Sequence, residues 1–200
     1  MSPEIHPLFP IAIFKTSIRK LTQTELEYIL SKELESQSLG NVVSVDRYLL
    51  NDPKLNDLKS LMLDAIKVYA KEIMSIDNEF YITNSWLNKT SNNEQHSIHN
   101  HTNSILSGCY YISVEDSQPC ISFNRLTQPF LLNYVPIEFN RFNSVEWNLS
   151  LENNSLIIFP SECYHYVKPN TSVNERISIA FNTFVKGQIG QKNGSELILN

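Results

Sequence analysis

The chain has 200 residues, 42% of them hydrophobic, enough to bury one sizeable core, and this length fits one domain better than two. A net charge of -5 and a pI near 5.5, with no block of Lys or Arg, exclude a phosphate-tracking surface, so no nucleic-acid partner is expected. Cys109, Cys120 and Cys163 show no C-x-x-C spacing and no segment approaches ~18 uninterrupted apolar residues, so free thiols, a cytoplasmic location and no membrane attachment are expected.

In chain order, the apolar run over residues 9–14 reads as a short strand. Thr22-Gln23-Thr24-Glu25 then offers a capping box ahead of Leu26, Ile29, Leu30 and Leu34, which predicts a helix over about residues 23–36. Asp52-Pro53 supplies a capping carboxylate with proline at the first helical position, and Leu55, Leu58, Met62, Ala65, Tyr69 and Ile73 recur at helical spacing. This is the longest predicted helix, and its apolar stripe needs a sheet to pack on. From residue 79 onward short β-branched and aromatic runs alternate with Asn, Ser, Pro and Asp clusters, predicting strands at 79–89, 96–101, 105–114, 119–124, 129–134, 144–149, 155–159, 163–168 and 175–185. So many short strands imply a sandwich or barrel of antiparallel sheets with the early helices on one outer face. The expected organisation is a single domain, 1–200: helical support over 1–78, a β core over 79–186, and a tail over 187–200 whose residues 197–199 form a candidate edge strand. Exposed edge strands at either end make a homodimer plausible.

Side chains alternate faces along a strand, so His99 and His101 in His99-Asn100-His101 would share a side and could grip one ion together. His165 follows the apolar run ending at Phe159 and is the candidate third ligand. A hairpin turning at Asn170-Thr171 would set His165 opposite Arg176, with its guanidinium reaching a few ångströms beyond the metal. Arg176 and Ser178 share a face and could bind one carboxylate, while Ile177, Ile179 and Phe181 fill the other face. An inward arginine on so apolar a strand demands an anionic partner, which could be a ligand or one of the protein carboxylates Glu162 and Glu175. His6 and His96 taken singly read as structural residues.

The ordered set Trp86-x-Asn88, His96-Ser97-Ile98-His99-Asn100-His101-x-Asn103-Ser104, Leu106-Ser107-Gly108-x-Tyr110-Tyr111, Ile158-Phe159-Pro160-Ser161 with His165, and Glu175-Arg176-Ile177-Ser178-Ile179-Ala180-Phe181-Asn182 resembles the 2-oxoglutarate- and Fe(II)-dependent oxygenases of marine bacteria and their phages. The resemblance spans roughly residues 80–185 and implies a mainly β protein with N-terminal helices. Its core would be a double-stranded β-helix, that is, a jelly-roll or cupin-like barrel with two or three helices packed on one face. It further implies Fe(II) held by His99, His101 and His165, and 2-oxoglutarate bound through Arg176 and Ser178 with Tyr110 as an additional donor. His96, Asn88, Trp86 and Asn182 would orient ligands or face the substrate, and no catalytic residue is expected beyond the metal site. The implied reaction is a dioxygenase hydroxylation of a small-molecule or peptidyl substrate with O2, releasing succinate and CO2. The chain departs from the usual two histidines and a carboxylate in having His-x-His, which leaves the ion more positive. A rival frame places His101 first and Asn103 in the acid position, but a neutral amide is a poor ligand beside imidazole. Two other classes stay open at this point: a cupin-like metal protein that does not use 2-oxoglutarate, and a non-catalytic β-sandwich binding protein. Arg176 and Ser178 facing inward together favour the oxygenase over the first of these, and three convergent imidazoles, which a binding module should not need, favour it over the second.

Overall fold

The computed structural model describes residues 2–37, 40–115, 119–127, 129, 135–192 and 194–199. The predicted strand at 129–134 lies outside the described residues save for position 129. Two antiparallel sheets face each other. The larger has seven strands: β1 (Phe14–Ser17), β2 (Leu34–Ser36), β3 (Val42–Ser44), β4 (Phe80–Thr90), β6 (Leu106–Ser113), β9 (Ser155–Pro160) and β11 (Arg176–Val185), ordered β1-β9-β6-β11-β4-β3-β2. The smaller has four: β5 (His96–His99), β7 (Pro119–Asn124), β8 (Glu146–Ser150) and β10 (His165–Val167), ordered β5-β10-β7-β8. Apart from β7 and β8, which pair with each other in the smaller sheet, successive strands of the β core alternate between sheets, the winding of a double-stranded β-helix.

Two helices cover the outer face of the large sheet. Helix α1 (Gln23–Leu30) starts at the predicted capping box, in which the Thr22 hydroxyl accepts from Glu25 N and the Glu25 carboxylate accepts from Thr22 N. It stops well short of residue 36. The Ser31 hydroxyl donates back to Tyr28 O, and Leu34 to Ser36 leave the helix to pair with Ser44 to Val42, because that pairing puts Leu34 against the core. Helix α2 (Asn56–Tyr69) follows a 3-10 turn over Pro53–Leu55 that Asp52 caps through Lys54 N. Leu55, Leu58, Met62, Ala65 and Tyr69 are buried as the spacing predicts, but a π turn over Ala70–Met74 advances the phase, burying Ala70 and leaving Ile73 exposed. The N-terminal third is therefore not only helical, since β1, β2 and β3 widen the large sheet. The strand predicted over 9–14 is displaced to Phe14–Ser17, where it pairs with β9, and Leu197–Leu199 pairs with β12 (Gly187–Ile189) instead of extending the barrel. No helix among the described residues is long and apolar enough to cross a membrane.

Alternation on β11 organises both sides of the large sheet. Ile179 and Phe181 point outward into the helix-covered core with Leu156, Ile158 and Tyr110, while Arg176, Ser178 and Ala180 line the space between the sheets. The apolar run of β9 is continuous because both faces are covered: Leu156 and Ile158 face the helices, Ile157 and Phe159 the barrel interior. Gly108 of β6 is where Phe181 crosses, and a Cβ there would lie 2.2 Å from the Phe181 ring and 2.7 Å from Ile157 O. Because Phe181 is fully buried, Gly108→Ala is expected to overpack the core by about 1–3 kcal/mol and to lower the melting temperature by roughly 3–10 °C, read by thermal denaturation.

Candidate metal centre

Antiparallel pairing of β5 with β10 puts His165 directly opposite His99, so their rings project into the barrel from neighbouring strands, with centroids 4.3 Å apart. His101 lies just past the end of β5, anchored where its backbone N–H donates to Ser161 O at 2.9 Å. One potential ligand atom from each of His99, His101 and His165 falls within 4.8 Å of the others. Phe159 packs edge-on to His165, centroids 4.9 Å apart, and Trp86 lies against His101 at 5.9 Å.

Tautomers follow from the hydrogen bonds. Backbone carbonyls only accept, so the contacts of His99 Nδ1 with Ser97 O (2.8 Å) and of His165 Nδ1 with Cys163 O (2.9 Å) place a proton on both Nδ1 atoms. His101 Nδ1 donates to Asn182 Oδ1, which also accepts from Ser107 Oγ at 2.7 Å. Each Nε2 is then an unprotonated lone pair. His99 Nε2 and His101 Nε2 nevertheless lie 3.2 Å apart, a repulsive contact unless a cation sits between them. Two nitrogens about 2.1 Å from one ion at right angles would be about 3.0 Å apart, so the donor set fits a divalent metal.

Burial pushes the His165 imidazole down to about 3 and those of His101 and His96 to about 4, with the neighbouring imidazoles adding to the fall. The His101 and His165 imidazoles are therefore neutral near pH 7. These depressed values bind stability to pH. In the metal-free protein the contribution is complete above the unfolded value of 6.5 and is lost as pH drops toward 4 and then 3, because only the unfolded chain takes up protons in that window. Metal-free protein is expected to melt at least roughly 5 °C lower at pH 5 than at pH 7.5, measured by calorimetry.

His165 and Arg176 are not hairpin partners, contrary to the sequence expectation. Residues 168–175 cross from one sheet to the other, so β10 pairs with β5 and β7 while β11 pairs with β4 and β6. The two residues face the same cavity from opposite walls. Arg176 and Ser178 are both buried there, on one face as predicted, and Arg176 also donates to Lys168 O at 3.4 Å. Glu175 is engaged by Lys89 at 2.9 Å, and Glu162 is exposed.

Tyr110 is elsewhere. It points outward into the helix-covered core, its hydroxyl donating to Arg19 O or Asn154 Oδ1, both at 3.1 Å, whereas Tyr111, of opposite parity, lines the cavity. Parity was the available signal, since Tyr110 shares its face with Leu106 and Ile112, and Tyr111 shares its own with Ser107 and Cys109. Asn88, Trp86 and His96 line the cavity, with Trp86 Nε1 donating to Asn88 Oδ1 at 3.2 Å, and Asn182 supports His101. His96 stacks near His99 but stands outside the convergent trio. Asn103 occupies a left-handed turn position and does not line the cavity, and His6 pairs with Glu4 near the amino terminus. Asn41, which the sequence did not single out, also lines the cavity, fully buried.

Residues 84–182 match the family model described as "Putative 2OG-Fe(II) oxygenase". No curated protein matches the chain. Among solved structures, an oxidoreductase of the 2OG-Fe(II) oxygenase family from Burkholderia pseudomallei superposes with a TM-score of 0.57 at 14% identity, covering 78% of this chain and 74% of that one. HygX from Streptomyces hygroscopicus, solved with nickel and 2-oxoglutarate bound, gives 0.61 at 7% identity over 86% and 82%. A Pseudomonas putida prolyl-4-hydroxylase gives 0.55 at 13% identity over 86% and 92%. At these identities the likeness is one of fold.

Proposed function

We propose, from the match of residues 84–182 to the 2OG-Fe(II) oxygenase family model, that this chain is a 2-oxoglutarate- and Fe(II)-dependent oxygenase that hydroxylates a small molecule with a three-histidine iron site. The observation that carries the site assignment is the convergence of unprotonated Nε2 atoms from His99 and His101, with His165 completing the trio. HygX, of the same fold, is described with nickel and 2-oxoglutarate bound, which supports the same pairing of metal and co-substrate here.

In this reading His99, His101 and His165 hold Fe(II), and Arg176 with Ser178 binds the distal carboxylate of 2-oxoglutarate. Bound Fe(II) supplies activation of O2 coupled to oxidative decarboxylation of 2-oxoglutarate to succinate and CO2, the other oxygen atom entering a substrate C–H bond. The protein's own contribution is positional. Ser97 O and Cys163 O fix the orientation of two rings, Asn182 and Ser107 that of the third, and Phe159, Phe123 and Trp86 keep water from the ligands' flanks. Arg176 offers a planar fork and Ser178 a hydroxyl, the donors a carboxylate needs. Three neutral ligands leave the full charge of the ion to attract the dianionic co-substrate.

Anaerobic addition of Fe(II) and then 2-oxoglutarate is expected to produce a metal-to-ligand charge-transfer band in the visible. A parent protein that binds Fe(II) yet gives no band would remove 2-oxoglutarate from this reading, and one that binds no metal would remove the centre itself.

A further inference from the structure

Asn41 carries the one buried side-chain polar atom among the described residues that has no hydrogen-bond partner, its carboxamide oxygen. The residue is 1% exposed and lines the cavity beside the metal centre. An orphaned acceptor at that depth costs the folded protein roughly 1–3 kcal/mol, a penalty that a bound donor removes. Strand register locates it. Val42 pairs with Lys89 and Val43 with Asn88, so Asn41 falls opposite Thr90, and Thr90 pairs in turn with Arg176. Asn41, just ahead of β3, thus continues a row formed by Thr90 of β4 and Arg176 of β11, and all three line the cavity. With strands about 4.8 Å apart, the Asn41 backbone stands about 10 Å from that of Arg176, lateral to the carboxylate that Arg176 and Ser178 would hold.

The cavity's charge narrows the donor. No Asp or Glu is among the described residues lining it, so with the dianionic 2-oxoglutarate in place Arg176 and a divalent ion leave one net positive charge. An ammonium group would find no protein carboxylate to pair with and would face that residual positive charge, which favours a neutral donor at Asn41. We propose that Asn41 is a specificity residue of the site, its carboxamide oxygen accepting a hydrogen bond from a hydroxyl or amide N–H of the substrate, and that amine substrates are excluded. This rests on the oxygenase reading above and extends it from cofactors to substrate class.

The test uses four probes sharing one ring: cyclopentanol, cyclopentanecarboxamide, cyclopentyl methyl ether and cyclopentylammonium. Binding is followed by ligand-observed NMR on protein loaded with Zn(II) and 2-oxoglutarate, and on metal-free protein, for the parent and for Asn41→Leu. The alcohol and the amide are expected to bind at least about tenfold more tightly than the ether and the ammonium, and Asn41→Leu to level the alcohol with the ether. The 2-oxoglutarate titration of the Fe(II) charge-transfer band should move less than about twofold in the variant, and its metal-free form should melt at or above the parent, because an orphaned polar atom has been removed. The proposal is overturned if alcohol and ether bind alike in the parent, if the ammonium matches the alcohol, if the preference survives Asn41→Leu, or if the variant weakens 2-oxoglutarate as much as the alcohol. Absence of the charge-transfer band in the parent would strike the oxygenase reading and not this one, since the alcohol-to-ether contrast in metal-free protein still decides the role of Asn41.

Discussion

His165→Ala is expected to lose essentially all tight Fe(II) binding. The imidazole supplies one of three converging nitrogens, is 5% exposed, and sits at the centre of the β5-β10-β7 pairing, so its loss leaves the ion only two protein ligands of the trio. Disturbing residues that merely orient a ligand typically costs 10- to 100-fold in metal affinity, so deleting a ligand should cost more than about 100-fold. Anaerobic titration with metal analysis after desalting would read this as about one equivalent retained by the parent and less than about a tenth by the variant. Two controls separate ligation from folding. His165→Gln keeps most of the volume against Phe159 and Phe123 and should lose metal equally while melting nearer the parent. His96→Ala removes a ring that stands beside the trio but outside it, and should retain metal within about tenfold. If His96→Ala empties the site and His165→Ala does not, the ligand assignment is wrong.

Arg176→Ala should leave Fe(II) bound and raise the 2-oxoglutarate dissociation constant by roughly 30-fold to several thousand-fold. That range corresponds to the 2–5 kcal/mol lost when one member of a buried, hydrogen-bonded charge pair is truncated. The guanidinium is buried on the cavity wall, with Ser178 two residues along the same face, so the carboxylate would lose its charged partner where water cannot substitute. Arg176→Lys should recover only part of the loss, because an ammonium cannot present the planar fork. The charge-transfer band, titrated with 2-oxoglutarate, measures each variant. Unchanged affinity in Arg176→Ala would place the co-substrate elsewhere.

Much of this site was legible because it depends on parity and on residue chemistry. The His-x-His spacing, the single histidine after β9, and the inward pair Arg176 and Ser178 against outward Ile179 and Phe181 are all properties of single strands. What parity does not reveal is which strand lies alongside. The sequence places His165 and Arg176 on consecutive strands at equal distances from a turn, which suggests a hairpin, but β10 and β11 belong to opposite sheets and the equality is incidental. Tyr110 was misplaced by one position of the same alternation. The strands Leu34–Ser36 and Val42–Ser44 were hidden for another reason: at three residues each they show no usable period, and they are held by pairing with each other and with β4. Asn41 was lost with them. The overrun of α1 has a similar cause, since Leu34 satisfies helical spacing but is buried from a strand.

Both ends of the cavity are built on a single span of backbone. Arg176 at the start of β11 and Asn182 near its end, which steadies His101, are joined by uninterrupted peptide, so sliding of one sheet over the other cannot alter their separation. Relocating the guanidinium by one position would aim it into the greasy layer under the helices, where Ile177 and Ile179 now reside. In the proposed reading Arg176 anchors the co-substrate, so any evolutionary retuning of the acid's length by moving it would come in two-residue jumps of nearly 7 Å, on the order of several carbon–carbon bonds. Tolerance for a diacid one methylene longer or shorter has to arise instead from the arginine's own rotamers, which makes chain-length selectivity a stepped rather than a graded trait.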